Sequence, residues 1–475
     1  MVRILFVEPP KDYWFVMGEY LPPPYGLLQL AGYLETKMPE ADIEVLDCQA
    51  MSLDWKSLEK RIASFDPDIT ATSGFATCNA YVVARTLEIV KKLKPESVTV
   101  TGGQHFSATA QESLEKYPEI DVIVRGEGEE TLAELAKAVE ENSNFSGILG
   151  LSIRKNNEIF HNQSRPLINN LDKLPYPGYH FVKDYAHLYH FTLMAGSKAR
   201  YGMVEASRGC IHNCTFCSQW KHWQGLCRYK SVKRIVDEIE YLYENYDSRL
   251  LWLTDDNFGL GKRMEELCDE LIKRRFSEDM TCFMQVRCDD VVMNQHILSK
   301  MNRAGINWLL LGVESHSKNN LESYRKGTKP EDAVNAVRLL KQNSIFCQTT
   351  CIIGERKDSH ESIEDLRQFV NKLDPDLAIF MILTPFPGTE LYEQAKLNGW
   401  IENSNWADYD MIHAIMPTES LSREQIQHEL FKCYRSFFGS WTRRIEGLFS
   451  KSRIKRRAYR YMARQSVLTQ LKSLV

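Results

Sequence analysis

The feature that most constrains this chain is an alternation of short, β-branched apolar runs with helical patterns, which occurs twice and lapses once between. In the first third, strand-like runs at 3–8, 43–47, 69–73, 98–102 and 122–125 alternate with helical patterns at 25–38, 55–65, 80–93, 108–117 and 130–142. This alternation predicts an α/β fold, a parallel sheet with helices on both faces. Between 147 and 202 the pattern weakens to two strand-like pieces, 148–154 and 159–162, followed by Leu174-Pro175-Tyr176-Pro177-Gly178-Tyr179, which reads as an extended connection. The alternation then resumes, with strand candidates at 203–206, 250–254, 281–287, 308–312, 348–353 and 377–383. Six such units fit a partial barrel better than a closed one of eight. The predicted layout is a Rossmann-like doubly wound domain over 1–145, a linker over 146–200, a partial (β/α)6 barrel over 201–398 and a helical segment over 399–475. A chain of 475 residues is too long for one ordinary core.

Both architectures bind ligands beyond the carboxyl ends of their strands, so residues there are read first for function. The first barrel strand runs into Ser207-Arg208-Gly209-Cys210-Ile211-His212-Asn213-Cys214-Thr215-Phe216-Cys217, with cysteines separated by three and then two residues. Thiolates at this density hold zinc or an iron–sulfur cluster, and a structural site of either kind wants four ligands. The loop offers three, and Cys227 is the nearby candidate for a fourth. On a [4Fe-4S] cube, three cysteines leave one iron open to a small molecule bearing an amine and a carboxylate.

With Phe216 just before its last cysteine, the loop resembles the signature of the radical S-adenosylmethionine (SAM) superfamily. Ahead of it, Pro22-Pro23-Pro24-Tyr25-Gly26-Leu27, Gly102-Gly103-Gln104-His105 and Gly126-Glu127-Gly128-Glu129 resemble the cobalamin-binding domain fused to many such enzymes. The resemblance implies a cobalamin-dependent radical SAM enzyme with a [4Fe-4S] cluster on Cys210, Cys214 and Cys217. It places cobalamin against Pro23, Pro24, Gly26, Leu27, Ser73, Phe75, Ala76, Thr77, Gly102, Gly103, Gln104, His105, Gly126, Glu127 and Gly128. The Asp-x-His-x-x-Gly motif of another cobalamin branch is absent, because His105 has no glycine three residues on. A cobalt without a lower histidine is therefore expected, and His105 reads either as a hydrogen-bonding loop residue or as a cobalt ligand.

For SAM, the resemblance points to Phe216, Thr254, Asp255, Asp256, Gln285, Arg287, Gly312, Glu314, Ser315 and Ile352. Most superfamily members carry a Gly-Gly-Glu-like turn after the second strand, and here Asp255 and Asp256 stand in its place. Asp255 is expected to accept from the methionine amine, whereas Asp256 reads equally as the cap of the next helix. Gln285 and Arg287 share a strand face. Arg287 then has two readings, a bidentate partner of the methionine carboxylate or the partner of Asp289 or Asp290. Pro387-Gly388-Thr389 resembles the turn closing many barrels of this kind. Cys282, Cys288, Cys347 and Cys351 lack the tight spacing of a second cluster and read as core or lumen thiols.

Composition excludes some partners. Fifty-nine Lys and Arg against 63 Asp and Glu leave a formal charge of −4, so nucleic acid has no global attraction to the chain. No run reaches the roughly 18–20 apolar residues of a membrane span. Twelve cysteines and a start that runs straight into a strand suggest a reducing, cytoplasmic and anaerobic setting. The stretch from Trp441 to Val475 holds ten Lys or Arg against Glu446 alone. That bias suits RNA, a membrane surface or an acidic protein, or else a solvated helix face, and the segment is expected to cover the substrate opening. The resemblance implies a monomeric C-methyltransferase, supplied with electrons by ferredoxin or flavodoxin, which methylates an unactivated sp³ carbon. A peptide or protein side chain, such as a glutamine of methyl-coenzyme M reductase, is the favoured substrate, because the chain lacks a lipid-facing apolar helix and its basic tail suits an extended chain. The alternatives are an oxidative cyclase resembling the anaerobic magnesium-porphyrin enzyme, a small-molecule or lipid methyltransferase, a methylthiotransferase of transfer RNA, and a corrinoid carrier.

Overall fold

Five parallel strands build the first sheet in the order β2-β1-β3-β4-β5: β1 (Arg3–Glu8), β2 (Asp42–Asp47), β3 (Ile69–Ser73), β4 (Val98–Gly102) and β5 (Val122–Val124). The structure is a computed structural model that describes residues 1–10, 20–74, 76–155, 158–191 and 200–472. Strand period sets the two faces. Ile4 and Phe6 face the core shared with α1 (Tyr25–Lys37) and, through Leu132 and Leu135, a later helix, while Leu5 and Val7 pack with Leu58 and Ile62 of α2 (Trp55–Phe65) and Val90 of α3 (Ala80–Leu93). That later helix, α4 (Glu129–Glu140), contacts α1 directly. Strand order reverses at β1, so a crevice opens beyond the carboxyl ends of β1 and β3. The sheet does not stop at residue 145. Strands β6 (Leu151–Lys155) and β7 (Glu158–His161), expected to be linker, extend it antiparallel, with Ile153 opposite Val122. Only two residues of sequence separate these antiparallel strands, which leaves no length for a crossover helix.

The second sheet follows chain order: β8 (Arg200–Val204), β9 (Ser248–Leu253), β10 (Thr281–Arg287), β11 (Ile306–Glu314), β12 (Phe346–Ile353) and β13 (Leu377–Ile382), all parallel. Helices α5 (Val232–Tyr246), α6 (Lys262–Lys273), α7 (Pro330–Gln342) and α8 (His360–Leu373) cover its outer face. Side chains of Tyr201, Leu250, Phe283, Trp308 and Phe346, near the amino-terminal ends of their strands, fill the lumen floor. The Trp308 indole donates to Gln348 Oε1 at 2.8 Å, so the one polar group of that ring is satisfied.

Three helices complete the chain: α9 (Arg423–Phe438), α10 (Trp441–Leu448) and α11 (Arg453–Lys472). Ser422 caps α9 reciprocally with Gln425. The tail does not cover the substrate opening. Ala458, Ile454 and Met462 of α11 pack under the aromatic floor, Tyr459 Oη donates to the Asp376 carbonyl at 3.1 Å, and Lys455 pairs with the Asp376 carboxylate at 2.8 Å. Asp376 immediately precedes β13, so α11 closes the barrel end opposite the cysteine loop. The apolar face of α11 goes to the aromatic floor of the barrel, and Lys455 adds an ion pair at its edge. Among the described residues no helix is long and apolar enough to cross a membrane.

Candidate active site

The cysteine loop is shaped by its own backbone. Ser207 and Arg208 pair antiparallel with Tyr229 and Arg228, and the chain then turns at Gly209 with φ +99°. A Cβ on Gly209 would lie 2.0 Å from the Leu226 carbonyl oxygen, so only glycine fits. Backbone N–H groups of His212 and Gln219 point at the sulfurs of Cys210 and Cys217. Burial raises the thiols of Cys210 and Cys214 and pushes Cys217 up to about 12. Cys227 lies within electrostatic reach of Cys210 and is hydrogen-bonded to the Tyr229 hydroxyl. Among the described residues, no three His, Cys, Asp or Glu stand close enough to share one metal ion. Thr215 N–H donates to the Tyr324 carbonyl at 3.1 Å, Leu391 N–H donates to the Thr215 carbonyl at 3.0 Å, and the Phe216 ring meets Tyr324 edge-on at 5.3 Å.

Above the barrel strands stand the residues expected to hold SAM. Asp255 is fully buried and accepts from the Ser207 hydroxyl through Oδ1, while its Oδ2 has no partner. Burial pushes its carboxyl to about 7, and Asp256 rises to the same level for the same reason. Asp256 is not a helix cap, because α6 starts after Gly261 and Asp256 bonds the Gly209 N–H and the Trp223 indole instead. Gln285 and Arg287 share the lumen face of Phe283, and Gln285 Nε2 donates to the Asp255 carbonyl at 3.4 Å. Arg287 takes the second of its two readings, donating to both oxygens of Asp289 at 3.0 and 2.9 Å.

Glu314, at φ +61° after a bulge that follows Gly312, is paired with Lys326 at 2.7 Å and accepts from Thr350 at 3.2 Å. Burial works against the Lys326 charge, yet Glu314 and Cys214 hold its pKa above the ordinary value. Thr254 N–H is spent on the Val204 carbonyl, and Ser315 Oγ accepts from the Ser317 N–H. Ile352 shares an apolar cluster with Phe216, Tyr324 and Leu383. Tyr324 and Lys326 were not singled out from sequence, although a cation and an aromatic in the loop following a barrel strand were there to be read.

The cobalamin-side residues divide into those that leave space and those that hold the cysteine loop. Added Cβ atoms on Gly26 and Gly126 would meet nothing within 4 Å, which makes them an open rim. Pro23, Pro24 and Leu27 are buried at the start of α1, Ser73 stands opposite Gly102 in register, and Gly126 N–H donates to Ser107 Oγ at 3.1 Å. Ala76 precedes the short turn at Thr77, the adjoining Gly103 closes on the Gly74 carbonyl, and Gly128 packs on Leu30. Phe75 lies outside the described residues. His105 is not a loop residue but is buried in a short helix, Gly103–Ala108, with its Nδ1 3.2 Å from Thr77 Oγ1 and its ring 5.2 Å from that of Trp406. Burial lowers its pKa to about 4, so the ring is neutral.

Gln104 and Glu127 are committed elsewhere than to a ligand. Gln104 accepts from Ser218 at 3.0 Å and donates to Gln219 at 2.7 Å, just past Cys217. Glu127 sits in a buried ion cluster with Arg208, two residues before Cys210. Arg208 donates to Glu127 at 2.7 Å, Glu129 at 2.6 Å and Glu205 at 2.9 Å, while Arg228 donates to both Glu127 oxygens at 3.0 and 2.9 Å. Burial alone would raise Glu127, but the two guanidiniums outweigh it and hold the carboxyl below its usual range. The two glycine loops of the first domain thus grip the cysteine loop at both ends.

Comparisons with known proteins agree with this geometry. The Radical SAM superfamily matches residues 204–370 and the B12 binding domain matches residues 17–136. An uncharacterized methyltransferase of Pyrococcus horikoshii is 33% identical over 447 residues, which cover 92% of this chain and 93% of that protein. The chain belongs to the cobalamin-dependent radical SAM enzymes of the methyltransferase class. Anaerobic magnesium-protoporphyrin IX monomethyl ester cyclase of Cereibacter sphaeroides is 29% identical, covering 92% of this chain and 70% of the cyclase. Among solved structures, the TsrM methyltransferase of Kitasatospora setae with cobalamin and [4Fe-4S] cluster superposes with a TM-score of 0.71 at 18% identity, over 92% of this chain and 88% of that one. OxsB with aqua-cobalamin and SAM gives 0.74 at 19%, over 98% and 71%.

The cofactors of a cobalamin-dependent radical SAM enzyme are a [4Fe-4S] cluster, SAM and cobalamin, and the residues present fit all three. Three thiols on one loop with backbone N–H groups directed at two of them suit a cluster. The orphaned, buried Oδ2 of Asp255 is an acceptor awaiting a cationic donor such as an amine. The open rim at Gly26 and Gly126 leaves room for a large macrocycle beyond the strand ends.

Proposed function

We propose that this chain transfers a methyl group to an unactivated sp³ carbon. The observation that carries the reading is the buried Arg208 cluster, which fixes the glycine loop of the cobalamin domain to the loop bearing Cys210, Cys214 and Cys217, so that both cofactor sites face one mouth. The relative from Pyrococcus horikoshii, named a methyltransferase and matched over nearly its whole length, supports it. Bound there, the cluster would supply the electron that cleaves SAM and the corrinoid would supply the methyl group. The chain's own part is positional. Asp255 Oδ2 orients the amine, and the Phe216, Tyr324 and Ile352 cluster keeps water from that side, while Arg287 and Lys326 are held by Asp289 and Glu314. Ferredoxin or flavodoxin is the electron donor this reading asks for. The case for a peptide or protein side chain rests on the lack of a lipid-facing apolar helix and on a basic tail that grips an extended chain at the mouth. With the tail at the other end of the barrel, the proposal is methyl transfer to carbon without that restriction.

A second reading, oxidative ring closure without methyl transfer, is favoured by the cyclase relatives at 29% and 28% identity. One experiment separates the two. The anaerobically reconstituted protein is incubated with SAM labelled in its methyl group, a reductant, hydroxocobalamin and magnesium-protoporphyrin monomethyl ester. Label in the corrinoid fraction, together with 5′-deoxyadenosine, is the expected result. SAM cleavage that never labels the corrinoid, while magnesium-protoporphyrin monomethyl ester is consumed, would replace methyl transfer with cyclisation.

A further inference from the structure

Helix α10 and the residue after it expose three large apolar side chains on one side: Trp441 is 74% exposed, Ile445 55% and Phe449 77%. Their spacing of four residues puts them on a single stripe. The opposite side is inward, since Arg443 and Gly447 are buried, Arg443 against Asp374 and Gly447 against the Tyr459 ring. Helix α11 carries a second stripe. Arg453, Arg457, Arg460 and Arg464 recur at helical spacing and are exposed, while Ile454, Ala458, Tyr459 and Met462 face the barrel. Lys451 and Arg444 add exposed cations beside the turn between the two helices.

A solvated helix face has no use for exposed Trp, Ile and Phe in register, and a helix meant to pack on the barrel would turn them inward. A purely electrostatic partner leaves them equally unexplained. Single-stranded RNA could stack on the two aromatic rings but offers nothing to Ile445 between them, and an acidic protein patch would leave the whole apolar stripe in water. An apolar stripe flanked by Lys and Arg is the composition that lies in the interface of a bilayer, with the apolar groups among the acyl boundary and the cations at headgroup phosphates. We infer that the α10–α11 hairpin docks the protein on an anionic phospholipid surface through Trp441, Ile445, Phe449 and the arginine stripe of α11. This surface lies at the barrel end away from the cysteine loop, so docking leaves the shared cofactor mouth open.

The test uses the full chain, loaded with its cofactors, in co-sedimentation with vesicles of phosphatidylcholine alone and of equal parts phosphatidylcholine and phosphatidylglycerol. Binding to the anionic vesicles only, weakened by added salt, is expected. Replacing Arg457→Gln and Arg460→Gln together should weaken that binding on the order of tenfold or more, since each interfacial cation contributes separately. Trp441→Ser with Phe449→Ser should weaken it by about as much at unchanged net charge. Unchanged circular dichroism and retained corrinoid show that both variants fold. Failure to sediment with anionic vesicles, sedimentation that the apolar pair does not affect, or binding to a short RNA or to polyglutamate in place of vesicles would each overturn the inference.

Discussion

At Arg208 and Gly209 a single residue decides whether the site assembles. Gly209→Ala would force a left-handed φ on alanine and drive its methyl into the Leu226 carbonyl, a combined cost of at least about 2 kcal/mol concentrated one residue before Cys210. The expected outcome is a folded protein whose reconstituted iron content falls well below the normal level, read by iron analysis and cluster absorbance. Arg208→Met leaves Glu127 with Arg228 and takes the Arg208 partner from buried Glu129 and half-buried Glu205, a loss of about 3–5 kcal/mol for breaking such a pair from one side. Corrinoid retained per chain after gel filtration should drop, and Arg208→Lys should restore only part of it, because an ammonium cannot serve three carboxylates in a fixed fork. Neither role is legible in the sequence beyond the bare fact of an arginine in the loop. Its partners lie 81 and 79 residues upstream, and no local pattern announces an ion pair at that distance. Asp255 and Asp256 teach the same lesson, since adjacent identical side chains take different partners only once Ser207, Gly209 and Trp223 are placed around them.

Among elements, those whose signal is local were legible and those positioned by their neighbours were not. The six barrel strands and the five parallel strands of the first sheet announce themselves as apolar β-branched runs between helices, and α9 is announced by Ser422 and its reciprocal partner Gln425. Strands β6 and β7 were visible as strands but not as members of the first sheet, since pairing to β5 is a tertiary event. The segment around Trp406 is a further case. It carries no regular pattern, yet Trp406, Tyr409 and Ile415 pack with Val83, Phe106 and Ile123 and hold the segment that follows the barrel to the cobalamin domain. His105 lies in that seam, and its lowered pKa makes the seam sensitive to acid. The unfolded chain takes up a proton near pH 6.5, whereas the folded ring, at about 4, does not. Stability from this group is therefore complete above 6.5 and is lost as pH falls toward 4, about 2 kcal/mol of it by pH 5. Denaturant titrations at pH 7.5 and pH 5 should show this loss in the parent chain and not in His105→Leu. An equal pH response in both would mean that the ring is not buried as described.

The whole molecule is a barrel held at both ends. At the carboxyl end the cobalamin domain is fixed by the Arg208 cluster, by Gln104 and by the Pro387-Gly388-Thr389 turn, where a Cβ on Gly388 would come within 2.9 Å of Ala108. At the amino-terminal end α11 seals the floor built from Phe283, Trp308 and Phe346. The two ends have different duties, and a truncation tells them apart. Ending the chain at Ser450 removes α11 and uncovers that floor, together with the Tyr459 and Lys455 links to Asp376. Loss of two or three large apolar side chains from a buried surface costs about 5 kcal/mol, which in a chain of this size lowers the melting temperature by roughly 5 °C. Binding of a hydrophobic dye should appear at the same time, while the cysteine loop, at the far end, should still take up its iron. A tail that lay over the substrate mouth would behave in the opposite way, leaving the melting temperature nearly unchanged and changing the access of small molecules to the cofactors. Calorimetry and iron content on the same truncated sample distinguish the two, because only a floor plug couples the loss of α11 to the stability of the barrel.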